Sequence, residues 1–132
     1  MLVRLFWTDR WNNGCLYPEG QILKKISDIK GLIFEFLSDD EGLGLEHLKN
    51  WIDEGLIQIK KVRLGELGSY DMWGQAWGAD ISLDNVLIYW GYDDNIYEES
   101  MSFQNFYTII KNWKVFLNSE PSLDNVIEFE LS

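Results

Sequence analysis

Residues 102–117 read SFQNFYTIIKNWKVFL, and this stretch decides how the rest of the chain must pack. Its apolar side chains recur at intervals of three and four residues, which is the period of a helix that buries one face. Ser102 precedes the first of them and is a suitable N-cap. Lys111 and Lys114 then lie on the polar back of a core helix. The apolar stripe consists of Phe103, Phe106, Ile109, Ile110, Trp113, Phe116 and Leu117.

Several segments around this helix have the features of β-strands. Residues 2–7 (LVRLFW) are apolar and rich in strand formers, and residues 86–90 (VLIYW) are expected to be a central strand covered on both faces. Residues 125–131 alternate between apolar and acidic side chains, and residues 96–101 are expected to form the second arm of a hairpin. Residues 72–83 (MWGQAWGADISL) alternate as well, which predicts one strand whose glycines permit a twist, a bulge or close approach of another backbone.

The first half of the chain is predicted to contain two shorter helices. Isoleucines spaced four, three and four residues apart indicate a helix over residues 22–33, while an alternative ends it earlier and makes residues 32–37 (LIFEFL) a strand. Residues 45–52 predict a second helix, with Gly55 as its C-terminal stop. Residues 56–64 (LIQIKKVRL) are then predicted to be a strand with basic residues on its exposed face.

Turns are indicated at residues 12–14 (NNG), 18–20 (PEG) and 39–42 (DDEG). The resulting order of elements predicts an α+β fold, a mainly antiparallel β-sheet with two to three helices packed on one side. No linker is evident, so residues 1–132 are expected to form a single globular domain. A single cysteine, no signal-peptide pattern and no long apolar run predict a cytoplasmic protein.

The net charge of −11 is distributed unevenly along the chain. Residues 1–63 carry 9 basic and 10 acidic residues, whereas residues 64–132 carry only 2 basic residues against 12 acidic ones. A negative field of this kind repels nucleic acid and anionic membranes, and it attracts a basic protein. The same excess is also typical of acidic proteins that need it only to remain in solution.

Signatures of catalysis and of metal binding are weak. Cys15 would need a histidine partner, and the only histidine, His47, lies on a predicted helix beside Leu45 and Leu48. No P-loop, GxSxG or dinucleotide-binding motif occurs. The carboxylates of residues 93–99 lack the alternate spacing of a calcium loop, and a chance pair among 22 acids does not specify a glycosidase. The chain is therefore expected not to be an enzyme and to need no cofactor or metal.

The acidic half of the chain is also rich in aromatic residues, which is the composition of a protein-binding surface. Trp and Tyr are favoured as interface anchors, and acidic groups around them speed association with a basic partner. Most of the rings equally suit a core, but Tyr92 and Tyr97 flank the turn at residues 93–95. The predicted partner-binding residues are Asp71, Trp73, Trp77, Asp80, Tyr92, Asp93, Asp94, Tyr97, Glu98 and Glu99.

Four stretches carry a resemblance to a known class of proteins: HLKNWIDEGLIQIKKV (47–62), GQAWGADI (74–81), DNVLIYWGYDD (84–94) and SFQNFYTIIKNWKVFLN (102–118). Together they resemble the immunity proteins of bacterial contact-dependent growth inhibition and of related polymorphic toxin systems. The resemblance covers about half of the chain and rests on the pattern, since these families have no catalytic signature. It implies a cytoplasmic protein that binds one cognate toxin domain, often a nuclease, and blocks its active site or substrate face.

The residues and the resemblance together predict an immunity protein that neutralises a basic nuclease toxin, with a tRNA nuclease among the candidates. No nucleic-acid or membrane partner is expected. Two alternatives stay open. One is a small acidic enzyme that uses a carboxylate pair such as Asp94 and Glu98, and the other is a nucleic-acid mimic that inhibits a DNA- or RNA-binding enzyme.

Overall fold

The computed structural model describes residues 1–23, 32–91 and 97–131 and confirms an α+β fold built mainly of antiparallel sheet. Within these ranges no helix combines the length and the apolar character that a membrane span requires. In chain order the described elements are β1 (Leu2–Thr8), β2 (Tyr17–Leu23), α1 (Leu32–Leu37), α2 (Leu45–Arg63), β3 (Tyr70–Trp73), β4 (Trp77–Ile81), β5 (Val86–Trp90), β6 (Glu98–Met101), α3 (Phe103–Leu117) and β7 (Val126–Glu130).

The described strands form two sheets, not the single sheet that the sequence predicts. The first has the order β2-β1-β7 and the second the order β3-β4-β5-β6, and every neighbouring pair is antiparallel. The division has a topological cause, because β3 to β6 follow one another and pair locally, while β7 returns to β1. Helix α1 contacts strands of both sheets, α2 packs on β3 and α3 packs on β1. The helices therefore join the two sheets through one hydrophobic core.

Helix α3 confirms the prediction for residues 102–117. Ser102 caps the helix, since its Oγ accepts a backbone hydrogen bond at 3.1 Å. Trp113 is fully buried, and its Nε1 donates to the Leu37 carbonyl at 3.0 Å, which joins α3 to the end of α1. Phe116 stacks on Trp7 of β1 with ring centroids 5.0 Å apart. The aromatic face of α3 thus lies against both α1 and the first sheet.

Helix α2 is longer than predicted, and the strand expected over residues 56–64 is wrong. Gly55 lies inside the helix, not at its end. Its backbone packs so closely on Met72 of β3 that a Cβ would overlap the methionine side chain. This contact outweighs the local weakening of a helix by glycine. The buried residues keep a helical spacing along the whole element and are Leu48, Ile52, Gly55, Leu56, Ile59 and Val62.

Residues 72–83 form a hairpin, not the single strand predicted from their alternation. A hydrogen bond from Gly74 N to Trp77 O, at 2.9 Å, closes the turn. Asp39, in the loop between α1 and α2, reaches this turn, where its Oδ2 accepts from Ala76 N at 2.9 Å and from Trp77 N at 3.1 Å. A Cβ on Gly74 would lie 2.5 Å from the same oxygen, so the glycine leaves the space that the carboxylate needs. We refer to these contacts as the Asp39 clamp.

Strand β2 runs through residues 18–20, where the sequence predicts a turn. Pro18 is tolerated because β2 is an edge strand of its sheet, and an edge strand leaves one row of backbone groups unpaired. Gly20 has a packing role, since a Cβ there would overlap the ring of Phe34. Pro18 and Gly20 suggest a turn in the sequence, but Pro18 lies in an edge strand and Gly20 allows close packing of α1.

Helix α1 decides between the alternatives for residues 32–37, which are helical and not a strand. The predicted helix over residues 22–33 is wrong at its start, because Ile22 lies in β2. Residues 24–31, the middle of that prediction, lie outside the described residues. The strands predicted over residues 2–7, 86–90 and 125–131 are confirmed, as is the described part of residues 96–101.

We expect Asp39→Ala to lower the free energy of unfolding by about 1–3 kcal/mol, because two backbone N–H groups would lose a charged acceptor. Urea unfolding followed by tryptophan fluorescence measures the change. Asp84→Ala is the matched control, since Asp84 is an exposed carboxylate between β4 and β5 and its removal should change stability by less than about 0.5 kcal/mol. Equal stabilities of the two variants would show that the clamp does not hold the fold together.

Candidate partner-binding face

One side of the sheet β3-β4-β5-β6 is turned away from the helices that cover its other side. Residues paired across antiparallel strands point to the same side of a sheet, so the register separates two sets of side chains. Met72 and Glu99 belong to the set that contacts α2 and α1. The opposite set forms what we call the open face. It consists of Asp71, Trp73, Gly78, Asp80, Leu87, Tyr89, Glu98 and Ser100.

Trp73 lies across the open face because two glycines leave space for its ring. A Cβ on Gly78 would lie 2.9 Å from Cε2 of the indole, and a Cβ on Gly91 would overlap the far edge of the same ring. Tyr89 meets the indole edge-on, with ring centroids 5.0 Å apart and ring planes at 84°. Trp73 is nevertheless 40% exposed. The open face therefore presents a fixed aromatic surface to the solvent.

Asp71 holds both of these rings with one carboxylate. Its Oδ2 accepts a hydrogen bond from Trp73 Nε1 at 2.8 Å, and its Oδ1 accepts one from the Tyr89 hydroxyl at 2.9 Å. Burial first, then the hydrogen bond to Asp71 and the charges of Asp71 and Asp80, raise the pKa of Tyr89 to about 12. Tyr89 therefore keeps its proton, and its role as donor, at neutral pH.

The other carboxylates of the open face have no counter-charge nearby in sequence. Asp80 lies directly opposite Asp71, an arrangement of like charges that antiparallel strands disfavour. Glu98 lies opposite Tyr89 on β6. No ion pair among the described residues involves Asp80 or Glu98, and the sequence contains no Lys, Arg or His over residues 64–110. The open face is consequently acidic.

Basic residues that border this stretch of sequence gather on the helices instead. Arg63 of α2 and Lys111 of α3 both lie over the ring of Tyr107, with Cζ and Nζ at 5.3 and 4.5 Å from its centroid. Lys114 pairs with Asp53 across the two helices, with Nζ 3.2 Å from Oδ1. The chain thus separates a basic helix pair from an acidic sheet face.

The residues predicted from sequence to bind a partner do not all share this face. Trp77 lies on the opposite side and packs against the core, while Glu99, also on that side, accepts a hydrogen bond from Ile33 N at 3.3 Å. Tyr97 is 48% exposed just before β6. The predicted residues that meet on the open face are Asp71, Trp73, Asp80 and Glu98. Those outside the described residues are Tyr92, Asp93 and Asp94.

The sequence pattern misplaces two residues of the open face, Tyr89 and Trp73. A strand covered on both faces would bury Tyr89, but β5 buries Val86 and Ile88 and leaves Tyr89 half-buried on the open face. Trp73 is misplaced as well, because alternation puts it on the same side as Trp77. The available signal was glycine next to tryptophan, which indicates close packing of another group on the strand.

The residue types that commonly carry catalysis or hold metals are dispersed among the described residues. Both oxygens of Asp71 accept hydrogen bonds from side chains of the same face. The exposed Cys15 lies between β1 and β2, while His47 pairs with Glu41, with Nε2 3.4 Å from Oε2. In the part of the chain that the structure describes, no group of three or more His, Cys, Asp or Glu side chains is arranged to hold a metal ion.

We expect Asp71→Asn to lower the pKa of Tyr89 from about 12 toward its ordinary value of 10.0, because the charged acceptor is lost while burial remains. The folded chain holds this proton more tightly than the unfolded chain does. The protonated Tyr89 hydroxyl therefore stabilises the fold below pH 10, and this stabilisation disappears as the pH rises to about 12. The ultraviolet absorbance of ionised tyrosine, compared with that of Tyr89→Phe, measures the pKa. Asp124→Asn is the control, and an equal shift in both variants would contradict the assignment.

Comparison with protein-family models, with curated proteins and with solved structures gives no match to this chain. No family is therefore assigned, and the geometry and charge of the open face are the basis for a functional proposal.

Proposed function

We propose that this chain is an immunity protein that binds a cognate bacterial toxin domain, a basic nuclease, and blocks its active site or substrate-binding face. The observation that carries the proposal is the open face, where an exposed and fixed Trp73 lies among carboxylates and the described residues of β3 to β6 include no basic side chain. The resemblance of four sequence stretches to immunity proteins of contact-dependent growth inhibition supports it. Two of those stretches, residues 74–81 and 84–94, supply β4 and β5 of the open face.

Affinity for such a partner would come from Trp73 and from its fixed position. Tryptophan is over-represented among the residues that dominate protein interfaces. A side chain that is already ordered loses little conformational entropy on binding, and Trp73 is held by a hydrogen bond to Asp71 and by its packing on Gly78. The anchor is therefore formed before the partner arrives.

Rate and selectivity would come from the acidic residues around this anchor. Complementary charge raises the association rate of two proteins and disfavours partners of the wrong sign. A nuclease must hold phosphates, so its substrate face is basic. Asp80 and Glu98 can occupy such a face in place of phosphate, which excludes the nucleic acid sterically and electrostatically. No reaction by this chain is required.

The open face is the centre of this interface and not its whole extent. Four strands spaced about 4.8 Å apart and four to five residues long cover about 15 by 15 Å. A stable complex buries about 800 Å² on each partner, which is several times this area. The partner must therefore also contact surfaces next to the sheet. Tyr97, exposed where the chain enters β6, is one such residue.

Co-expression with the product of the adjacent upstream reading frame tests the proposal. We expect the wild-type chain to protect cells and to form a complex with that protein. Asp80→Lys and Trp73→Ala should each weaken the complex at least about 30-fold, because one places a positive charge before a basic surface and the other removes the anchor. Asp124→Lys makes the same change in net charge at an exposed site outside the open face and should leave affinity within about threefold.

Absence of both complex and protection for the wild-type chain would overturn the proposed function. Salt provides a separate check, since the association rate should fall as ionic strength rises while the dissociation rate changes little. A partner that binds nucleic acid but is not toxic would favour the mimic that inhibits another enzyme. Only the identity of the partner separates that alternative from an immunity protein.

A further inference from the structure

Trp73 provides a platform of a particular shape on the open face. One side of its indole rests over Gly78 and Gly91, and the residue remains 40% exposed. Three common groups stack flat on such a ring: a nucleobase, a proline and a guanidinium. The charges around the platform decide among them.

On the open face Asp80 is the diagonal neighbour of Trp73, within reach of a long side chain, and Glu98 lies farther away, opposite Tyr89. Both carry negative charge without an ion-pair partner among the described residues. A nucleobase brings phosphates, which these carboxylates repel, and a proline leaves the carboxylates without a partner. A guanidinium can stack on the indole ring and also pair with the carboxylates. We infer that the open face binds an arginine side chain that stacks on Trp73 and donates hydrogen bonds to Asp80. This inference rests on the proposed function, because the basic toxin domain supplies the arginine.

The two aspartates of the hairpin have different roles in this site. Asp71 already accepts hydrogen bonds from Trp73 Nε1 and from the Tyr89 hydroxyl, so it is a positioning residue that fixes the platform. Asp80 is exposed and lies directly across the strand pair, where no hydrogen bond within the described residues involves its carboxylate. Asp80 is therefore the carboxylate that is free to bind the arginine.

Arginine fits this site better than lysine because of its geometry. The guanidinium is planar, so it stacks on an indole while its edge donates two parallel hydrogen bonds to a carboxylate. An ammonium group is compact and strongly hydrated, and it makes only the point-charge part of the interaction. The site should therefore distinguish the two cations even though they carry the same charge.

Short peptides test this selectivity without the toxin. The probes are acetyl-Gly-Arg-Gly-amide and its lysine and citrulline counterparts, titrated into the full chain at constant ionic strength. Amide proton–nitrogen NMR spectra follow the Gly78 and Gly91 signals, which lie under the platform. We expect the arginine peptide to shift these signals with a dissociation constant on the order of 10 mM. The lysine peptide should bind about fivefold more weakly, and the neutral citrulline peptide should cause no saturable shift.

Variants identify the groups that hold the arginine. Asp80→Asn keeps the size of the side chain and should abolish the preference for arginine over citrulline. Trp73→Leu keeps an apolar side chain and should remove the preference for arginine over lysine, because the ring face is lost. Asp124→Asn removes one exposed carboxylate elsewhere and should leave the arginine titration unchanged. Unchanged dispersion of the remaining signals shows that each variant is folded.

Equal shifts by the arginine and lysine peptides, or a titration unaffected by Asp80→Asn, would overturn the inference. Neither result bears on whether the chain protects cells, which the co-expression experiment decides separately. Protection that depends on Trp73 and Asp80, combined with no selectivity among the peptides, would mean that the open face binds the toxin without a stacked arginine.

Discussion

The Asp39 clamp is the contact on which the position of the open face depends. A carboxylate in the loop between α1 and α2 accepts two backbone hydrogen bonds from the turn between β3 and β4. The same hairpin carries Asp71, Trp73 and Asp80 on its outward side. Because α1 also contacts β2, and its last residue accepts a hydrogen bond from Trp113 of α3, the clamp relates this hairpin to both sheets. One polar interaction, made between elements far apart in sequence, thus orients the hairpin that supplies the aromatic anchor.

Packing and charge are used differently on the two sides of the sheet β3-β4-β5-β6. On the covered side, Met72 fills the space left by Gly55, and Glu99 binds the first turn of α1. On the open side, glycines make room for the exposed ring of Trp73, and Asp71 accepts hydrogen bonds from two neighbouring aromatic residues. The sheet is therefore a structural element on one side and a preformed surface on the other.

The period of the apolar residues predicted the elements that bury one regular face. It failed where a contact with a residue far away in sequence determines the local structure. Phe103–Leu117 forms a helix in which seven apolar positions agree with one period. Gly55 looked like a helix end, since nothing local reveals that Met72 fills its place. The face of Trp73 depended on the turn at Gly74, because a hairpin pairs Trp73 with Gly78, whereas a continuous strand would place it with Trp77. Part of the acidic surface was predictable from composition, but the platform needs contacts that only the fold creates.

The pair of glycines beneath Trp73 has a consequence for how such a protein can change its target. Any side chain larger than hydrogen at Gly78 or Gly91 collides with the indole, so these two positions cannot vary without loss of the platform. Leu87, Ser100 and Glu98 share the open face but lie on β5 and β6, away from the strand pair that holds Trp73. Under the proposed function, toxin domains that differ in shape could thus be matched by substitutions at these outer positions alone. Fixed glycines under Trp73, together with variable residues elsewhere on the open face, would let binding specificity change while the fold stays the same.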